Sequence, residues 1–199
     1  MRSQSDRHAS DLAAVESDTL VLARLVTDLD DFVSNPDRYL VSICGDPDRA
    51  TRAWLEQVRS QGYGGEGLIR LSHYGVDLIP ADLWDHSAVI WQYIIEVVRQ
   101  FVDTGRGEAF FPGQPIRFGL ENVRGGALWF IGSDGRLARQ IVEKRTFLPG
   151  VLREASRFLA WELEHIGTAP LSLITQTDEL LERLTLEGID SAQERLGGR

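Results

Sequence analysis

Two short segments, Pro115-Ile-Arg-Phe-Gly-Leu-Glu121 and Ala127-Leu-Trp-Phe-Ile131, decide the fold of this chain. Both have the apolar and aromatic content of β-strands, and the intervening Asn122-Val-Arg-Gly-Gly126 has the composition of a turn. A second turn, Ser133-Asp-Gly135, leads into a mixed run that ends at Phe147. Because the apolar segments are short and the turns are tight, the pattern predicts an antiparallel β-meander.

Helical patterns lie on both sides of this meander. Residues 149–166 repeat apolar side chains at intervals of three and four, which predicts a helix immediately after it. A wider apolar stripe over residues 81–103 predicts a central helix that is covered on much of its circumference. We therefore expect the α+β class, with an antiparallel β-meander sheet of three to five strands packed against several α-helices.

The N-terminal part carries weaker signals. Residues 10–33 repeat apolar side chains at three and four, which predicts an amphipathic helix. Residues 39–44 fit a short strand or a last helical turn equally well. Asp46-Pro47 is typical of a helix start and Gly62 of its end, and residues 68–74 predict a strand.

The length of 199 residues fits one domain with a tail. We expect a disordered N-terminus over residues 1–9 and a single α+β domain over 10–167. Residues 168–199 predict a C-terminal amphipathic helical segment with a frayed tail. Its apolar side, over 171–190, can pack on the domain or on a second copy of the chain.

Composition excludes several kinds of site. The net charge of −9 argues against nucleic-acid binding, because the neutralisation of phosphates needs a positive surface. Cys44 is the sole cysteine, so a disulfide within the chain and a Cys-rich metal site are both excluded; we expect its side chain to be buried. Lys144 is the sole lysine and no P-loop sequence is present. We expect no cofactor and no metal.

The sequence also predicts where the protein acts. The N-terminal residues contain no apolar signal core, and no apolar run approaches the roughly 20 residues of a membrane span. We therefore expect a cytoplasmic protein that does not enter a membrane.

The histidines offer one candidate catalytic or ligand site. His73 and His86, together with a carboxylate such as Asp85 or Asp77, would form a small-molecule-binding or hydrolase-like site between the sheet and the helix at 81–103. The discriminating observation is a concave pocket that holds these groups together.

Aromatic residues offer candidate partner-binding positions. Phe110 and Phe111 precede a rigid connection that contains two prolines. Trp129 and Ile131 face outward if the alternate residues of their strand face the helices. An open sheet face that carries a tryptophan would be a candidate interaction surface.

One basic run stands out in this acidic chain. It could meet phosphate or an acidic partner if its side chains share one face, although a solvated surface strand explains it more simply. Its members are Arg136, Arg139, Lys144 and Arg145.

These observations favour a non-enzymatic protein-interaction or regulatory protein. The acidic surface and the amphipathic end segments fit a small protein that caps another, basic protein, as immunity-like and toxin-neutralising proteins do. The histidine site remains the alternative from another class.

Overall fold

The computed structural model describes residues 14–133 and 136–196, with side chains over 14–132 and 138–186. Within these ranges the chain forms nine β-strands and five α-helices. The strands are β1 (Val15–Leu22), β2 (Leu40–Ser42), β3 (Glu66–His73), β4 (Val76–Asp77), β5 (Asp85–His86), β6 (Arg106–Phe110), β7 (Arg117–Val123), β8 (Gly126–Ser133) and β9 (Arg136–Val142). The helices are α1 (Leu29–Ser34), α2 (Pro47–Gln61), α3 (Ser87–Thr104), α4 (Lys144–His165) and α5 (Leu171–Leu196).

The strands form two antiparallel sheets, and the expected α+β class is confirmed. Sheet A has the order β2-β1-β3-β4, with β5 also paired to β3. Sheet B is the predicted meander in the order β6-β7-β8-β9. Its first strand, β6, precedes Pro115, the residue at which the predicted strand pattern began.

Helices α3 and α4 join the two sheets through one continuous core. Buried side chains of α3 contact β6 and β7, and α4 packs along β1. Gly107 of β6 allows the close approach of α3, because a Cβ there would collide with the carbonyl oxygen of Val97. The inner faces of both sheets therefore bury their side chains against the same helices.

The predicted single helix over residues 10–33 is wrong: among the described residues of this range, only those from Leu29 onward are helical, in α1. Residues 15–22 form β1, which pairs with β2 on one side and β3 on the other. The stretch from Thr19 to Leu22 is buried on both faces of sheet A, so its apolar run is continuous instead of alternating. Such a run has no strand period, which explains why it resembled part of a helix. Residues 1–9, for which we expected disorder, lie outside the described residues.

The other boundaries differ less. Helix α2 starts at Pro47 after the N-cap Asp46 and ends before Gly62, as predicted. Residues 40–42 form a strand, which settles the ambiguity over 39–44. Helix α3 begins only at Ser87, because Asp85 and the residue after it pair with β3.

The C-terminal helix α5 packs on α4. Leu173, Thr177 and Leu180 are buried in the core, and Arg183 bridges to Asp103 of α3 at 2.7 Å. This part of the 171–190 segment therefore covers its own domain, and its buried apolar side is not available to a second copy. The side chains beyond residue 186 and the tail at 197–199 lie outside the described residues. Among the described helices, none combines the length and the apolar character needed to cross a membrane.

Candidate protein-binding surface

The outer face of sheet A is turned away from α3 and α4. One half of it is covered by the chain, and the other, here called the open half, is not covered by any of the described residues. The segment that contains α1 closes the covered half with Phe32 and Tyr39, whose ring centroids lie 5.5 Å apart. This segment buries a second, smaller apolar cluster against the sheet. The sheet residues beneath it are Leu20, Leu22, Leu40 and Leu68.

A carboxylate holds this covering segment together. Asp31 accepts a hydrogen bond of 2.6 Å from the hydroxyl of Tyr39 and others from Asn35 and Arg38. The hydrogen bond from Tyr39 is the main cause that lowers the pKa of Asp31, and the same bond raises the pKa of Tyr39. Asp28 caps the first turn of α1 by accepting from the backbone N–H of Asp31. The segment is therefore a fixed boundary of the open half.

The open half presents polar side chains in rows across the strands. Glu16 of β1 lies directly opposite Ser72 of β3, which in turn lies opposite Asp77 of β4. The next row pairs Asp18 with Arg70. Side chains directly opposite one another in an antiparallel sheet point to the same face. The result is a shallow groove of about 250 Å³ lined by these residues.

The electrostatic balance of this groove is negative. Arg70 donates to Asp37 at 3.2 Å, and Asp18 accepts from the hydroxyl of Ser42 at 2.9 Å. Glu16 and Asp77 are exposed, and neither forms an ion pair or a side-chain hydrogen bond with another residue in the described ranges. They flank Ser72 two strand spacings apart, which corresponds to roughly 10 Å.

Cys44 lies beside this groove, in the turn between β2 and α2. Its side chain is exposed, so the expectation of a buried cysteine is wrong. The turn holds the residue at the surface, because the backbone N–H of Cys44 donates to Ser42, whose hydroxyl also contacts Asp18. Desolvation raises the pKa of the Cys44 thiol, and the carboxylate of Asp18 raises it further against the opposing charge of Arg157.

The structure does not bring the two candidate histidines together. His86 lies opposite Glu66 at the start of β3, whereas His73 is the last residue of that strand. Seven residues along a strand span roughly 23 Å. The two imidazoles therefore belong to separate environments, and the shared site suggested by the sequence is not assembled.

Each histidine environment has a structural explanation. His73 is buried, lies 3.3 Å from Thr146 Oγ1 and packs edge-on against Phe147, so it joins the end of sheet A to α4. Burial lowers the pKa of His73, and the nearby Glu143 opposes this shift. The ring of His86 contacts that of Tyr63 at a centroid distance of 4.6 Å.

Asp85 is the buried member of the proposed trio. Its Oδ2 accepts from the backbone N–H of Gly113 at 2.7 Å, and its Oδ1 accepts from that of His86. A Cβ at Gly113 would lie 3.2 Å from both carboxylate oxygens, which explains the glycine there. The carboxylate thus fastens the connection between β6 and β7 to β5. Asp77, the other carboxylate considered, lies on the open face of sheet A.

Three of the four candidate partner-binding residues are buried, and Phe110 alone among them is exposed. Trp129 and Ile131 point inward to the helices, and the indole of Trp129 donates to the carbonyl oxygen of Leu78 at 3.0 Å. Phe111 is buried as well, whereas Phe110 is 56% exposed. The outward orientation of Trp129 is therefore wrong, because it is the alternate residues of β8 that face away from the helices.

The basic run does not form one described patch. Arg139 is exposed on the outer face of sheet B, whereas Lys144 donates to Asn122 at the end of β7 at 2.6 Å. Arg145 is exposed in the first turn of α4. The side chain of Arg136 lies outside the described residues.

Sequence reasoning missed the open groove of sheet A because Glu16 and Asp18 lie within residues 10–33, for which an amphipathic helix was predicted. Their spacing of two is the available signal, since residues two apart share one face of a strand. Their partners Arg70 and Ser72 have the same spacing, but only the register of β1 on β3 shows that the two pairs face each other.

No group of three or more His, Cys, Asp or Glu side chains within the described residues is placed to hold a metal ion. A search against protein-family models, curated proteins and solved structures finds no match to this chain.

Proposed function

We propose that this chain is a non-enzymatic binding protein that captures a basic protein on the open half of sheet A. The observation that carries the proposal is the pair of exposed carboxylates, Glu16 and Asp77, that flank Ser72 without an ion-pair partner in the described ranges. A capping or immunity-like role, in which the bound protein is held inactive, fits such a surface.

The local charge supports a cationic partner. Four carboxylates, Glu16, Asp18, Asp37 and Asp77, surround the single guanidinium of Arg70. A concave surface with an excess of one sign of charge accelerates encounter with a partner of the opposite sign. The net charge of −9 for the whole chain acts in the same direction. Association should therefore be fast at low ionic strength and slower when salt screens the charges.

The spacing of Glu16 and Asp77 limits the partner further. Glu16 and Asp77 are roughly 10 Å apart, since two strand spacings separate them. Two turns of an α-helix rise about 11 Å. A partner helix with Arg or Lys side chains seven residues apart would place one cation on each carboxylate, with the hydroxyl of Ser72 between them.

The test compares three immobilised proteins that capture partners from a lysate of the native host. They are the wild type, the groove variant Glu16→Gln/Asp77→Asn, and the control Glu164→Gln/Asp178→Asn, which removes the same charge from exposed positions on α4 and α5. Bound proteins are eluted by a salt step and identified by mass spectrometry.

The proposal predicts one basic protein retained by the wild type and by the control but lost from the groove variant. Equal retention by all three proteins would contradict it, because capture would then depend on net charge or on another surface. The absence of any salt-released basic protein would contradict it as well.

A further inference from the structure

The outer face of sheet B, which is turned away from α3 and α4, is the second sheet face that the described residues leave uncovered. It combines apolar and charged side chains, and Phe110 and Ile141 are more than half exposed on it. A depression of about 150 Å³ lies at its centre. The residues that line this depression are Arg106, Glu108, Arg117, Glu121, Leu128, Phe130, Gly132 and Arg139.

The middle row of this face carries opposite charges at its two ends. Glu108 of β6 lies opposite Gly119 of β7, Gly119 lies opposite Phe130 of β8, and Phe130 lies opposite Arg139 of β9. A carboxylate therefore stands at one edge of the sheet and a guanidinium at the other, with a phenyl ring and a glycine between them.

Phe130 leans across the glycine. A Cβ at Gly119 would lie 2.8 Å from Cζ of Phe130, so the ring occupies the space above Gly119. Its ring thus lies over the boundary between β7 and β8, which is the midline of the four-stranded sheet.

This row is complementary to itself. A two-fold axis parallel to the strands, on the midline between β7 and β8, would place β6 of one copy over β9 of a second copy. Glu108 of each copy would then lie opposite Arg139 of the other, and the two Phe130 rings would meet at the axis. Isologous interfaces require a surface of this kind, on which each contact occurs twice.

The cationic side of this contact is available. Arg139 is exposed and forms no ion pair with another residue in the described ranges, whereas Glu108 is shared between Arg106 at 2.9 Å and Arg117 at 3.9 Å. Within one chain Glu108 and Arg139 cannot meet, because three strand spacings of roughly 14 Å separate them.

We propose that the outer face of sheet B binds a second copy of this chain, with Glu108 of each copy paired to Arg139 of the other around the Phe130 rings. The face measures roughly 19 by 17 Å, from four strands and five residues of strand length. An area of this size is below the roughly 1,200 Å² of total buried surface in standard interfaces. The dimer is therefore weak and forms at micromolar or higher concentration.

The first test is sedimentation velocity over about 10 μM to 1 mM at low salt. The wild type should shift from monomer to dimer across this range. Arg139→Glu and Glu108→Arg should each abolish the shift, and Glu108→Arg/Arg139→Glu should restore it, because the double reversal re-creates both pairs across the axis. Arg52→Glu, on the exposed side of α2, is the control for charge and should dimerise as the wild type does.

A second test reports the geometry directly. Glu108→Cys and Arg139→Cys are made separately in a Cys44→Ser background and treated with a short bifunctional maleimide. The mixture of the two variants should give a cross-linked dimer, and each variant alone should give far less. Three results would each overturn the proposal. The first is a wild type that stays monomeric to 1 mM, and the second is a double reversal that fails to restore dimers while its thermal unfolding is unchanged. The third is equal cross-linking in the mixture and in each variant alone. The groove of the proposed function lies on the outer face of sheet A, so the outcomes of these tests on sheet B are independent of that proposal.

Discussion

The indole Nε1 of Trp91 donates a hydrogen bond of 2.9 Å to the hydroxyl oxygen of Thr19. Trp91 lies in α3 and Thr19 in β1, and both side chains are buried in the main core. The bond gives the indole N–H an acceptor where water cannot reach it, so it fixes the position of α3 over sheet A. This contact lies on the inner face of sheet A and supports β1, whose outer face carries part of the acidic groove.

Replacing the acceptor should destabilise the fold. Thr19→Val keeps the shape of the side chain but leaves the buried N–H of Trp91 without its partner, at an expected cost of about 1–3 kcal/mol in the free energy of unfolding. Urea unfolding followed by tryptophan fluorescence measures this cost. Thr185→Val, at an exposed position of α5, should change stability by less than about 0.5 kcal/mol. Equal effects of the two changes would contradict the role of the bond.

The buried carboxyl of Glu162 should contribute less to the free energy of unfolding at neutral pH than at acidic pH. Burial raises the pKa of Glu162 above its ordinary value of 4.5, and the hydrogen bond from Thr168 only partly opposes this shift. A folded-state pKa above the unfolded one gives stability that is complete below pH 4.5 and is lost as the pH rises through the folded-state pKa.

Glu162→Gln removes the ionisation and retains an oxygen that can accept from Thr168. We therefore expect the variant to exceed the wild type in free energy of unfolding at pH 7 and to match it below about pH 4.5. Urea unfolding at a series of pH values measures the difference, and the exposed Glu164→Gln serves as the control. If the free energies of unfolding of Glu162→Gln and the wild type differ by the same amount at every pH, the pH dependence does not come from Glu162.

His73 should produce the opposite dependence on pH. Burial is the main cause that lowers the pKa of His73 below its ordinary value of 6.5. As the pH falls below 6.5, the unfolded chain takes up this proton before the folded chain does, so the free energy of unfolding decreases towards the lower, folded-state pKa. His73→Gln should remove this decrease, whereas His165→Gln should retain it. A wild-type slope that survives in His73→Gln would assign the titration to another group.

The thiol of Cys44 should react slowly because its pKa is raised, first by desolvation and then by Asp18. Asp18→Asn removes the second cause, so the variant should be alkylated faster than the wild type at pH 8. The rate is measured with a chromogenic thiol reagent, and Cys44 is the sole cysteine in the chain. Asp48→Asn, in the exposed first turn of α2, provides the comparison; if it accelerates the reaction equally, a local effect of Asp18 is excluded.

Local signals in the sequence were sufficient for much of the fold. Asp46, Pro47 and Gly62 are capping and stop residues whose chemistry acts within one helix, so the bounds of α2 followed directly. The meander was predictable because its turns contain glycine and its strands follow one another. Helix α3 was predicted to begin too early, because the pairing of Asp85 with β3 is a contact distant in sequence.

The candidate site was harder to predict from the sequence, because it also depends on contacts between residues that are distant in sequence. The groove on sheet A depends on the register that sets Glu16 opposite Ser72, residues that lie far apart in the sequence. The orientation of Trp129 depended on which face of β8 is turned to the core, and a shift of one residue reverses that choice. Composition alone did indicate the acidic character on which the proposed function depends.

The most direct test of the central claim is a titration of the captured basic protein into this chain labelled with a fluorophore at Cys44, beside the groove. At low ionic strength, Glu16→Gln/Asp77→Asn should weaken binding about tenfold, which corresponds to about 1.4 kcal/mol. Glu164→Gln/Asp178→Asn should bind as the wild type does, and the difference between the two variants should shrink at high salt. Equal affinities for both variants and the wild type at low salt would contradict the claim that sheet A captures a basic partner.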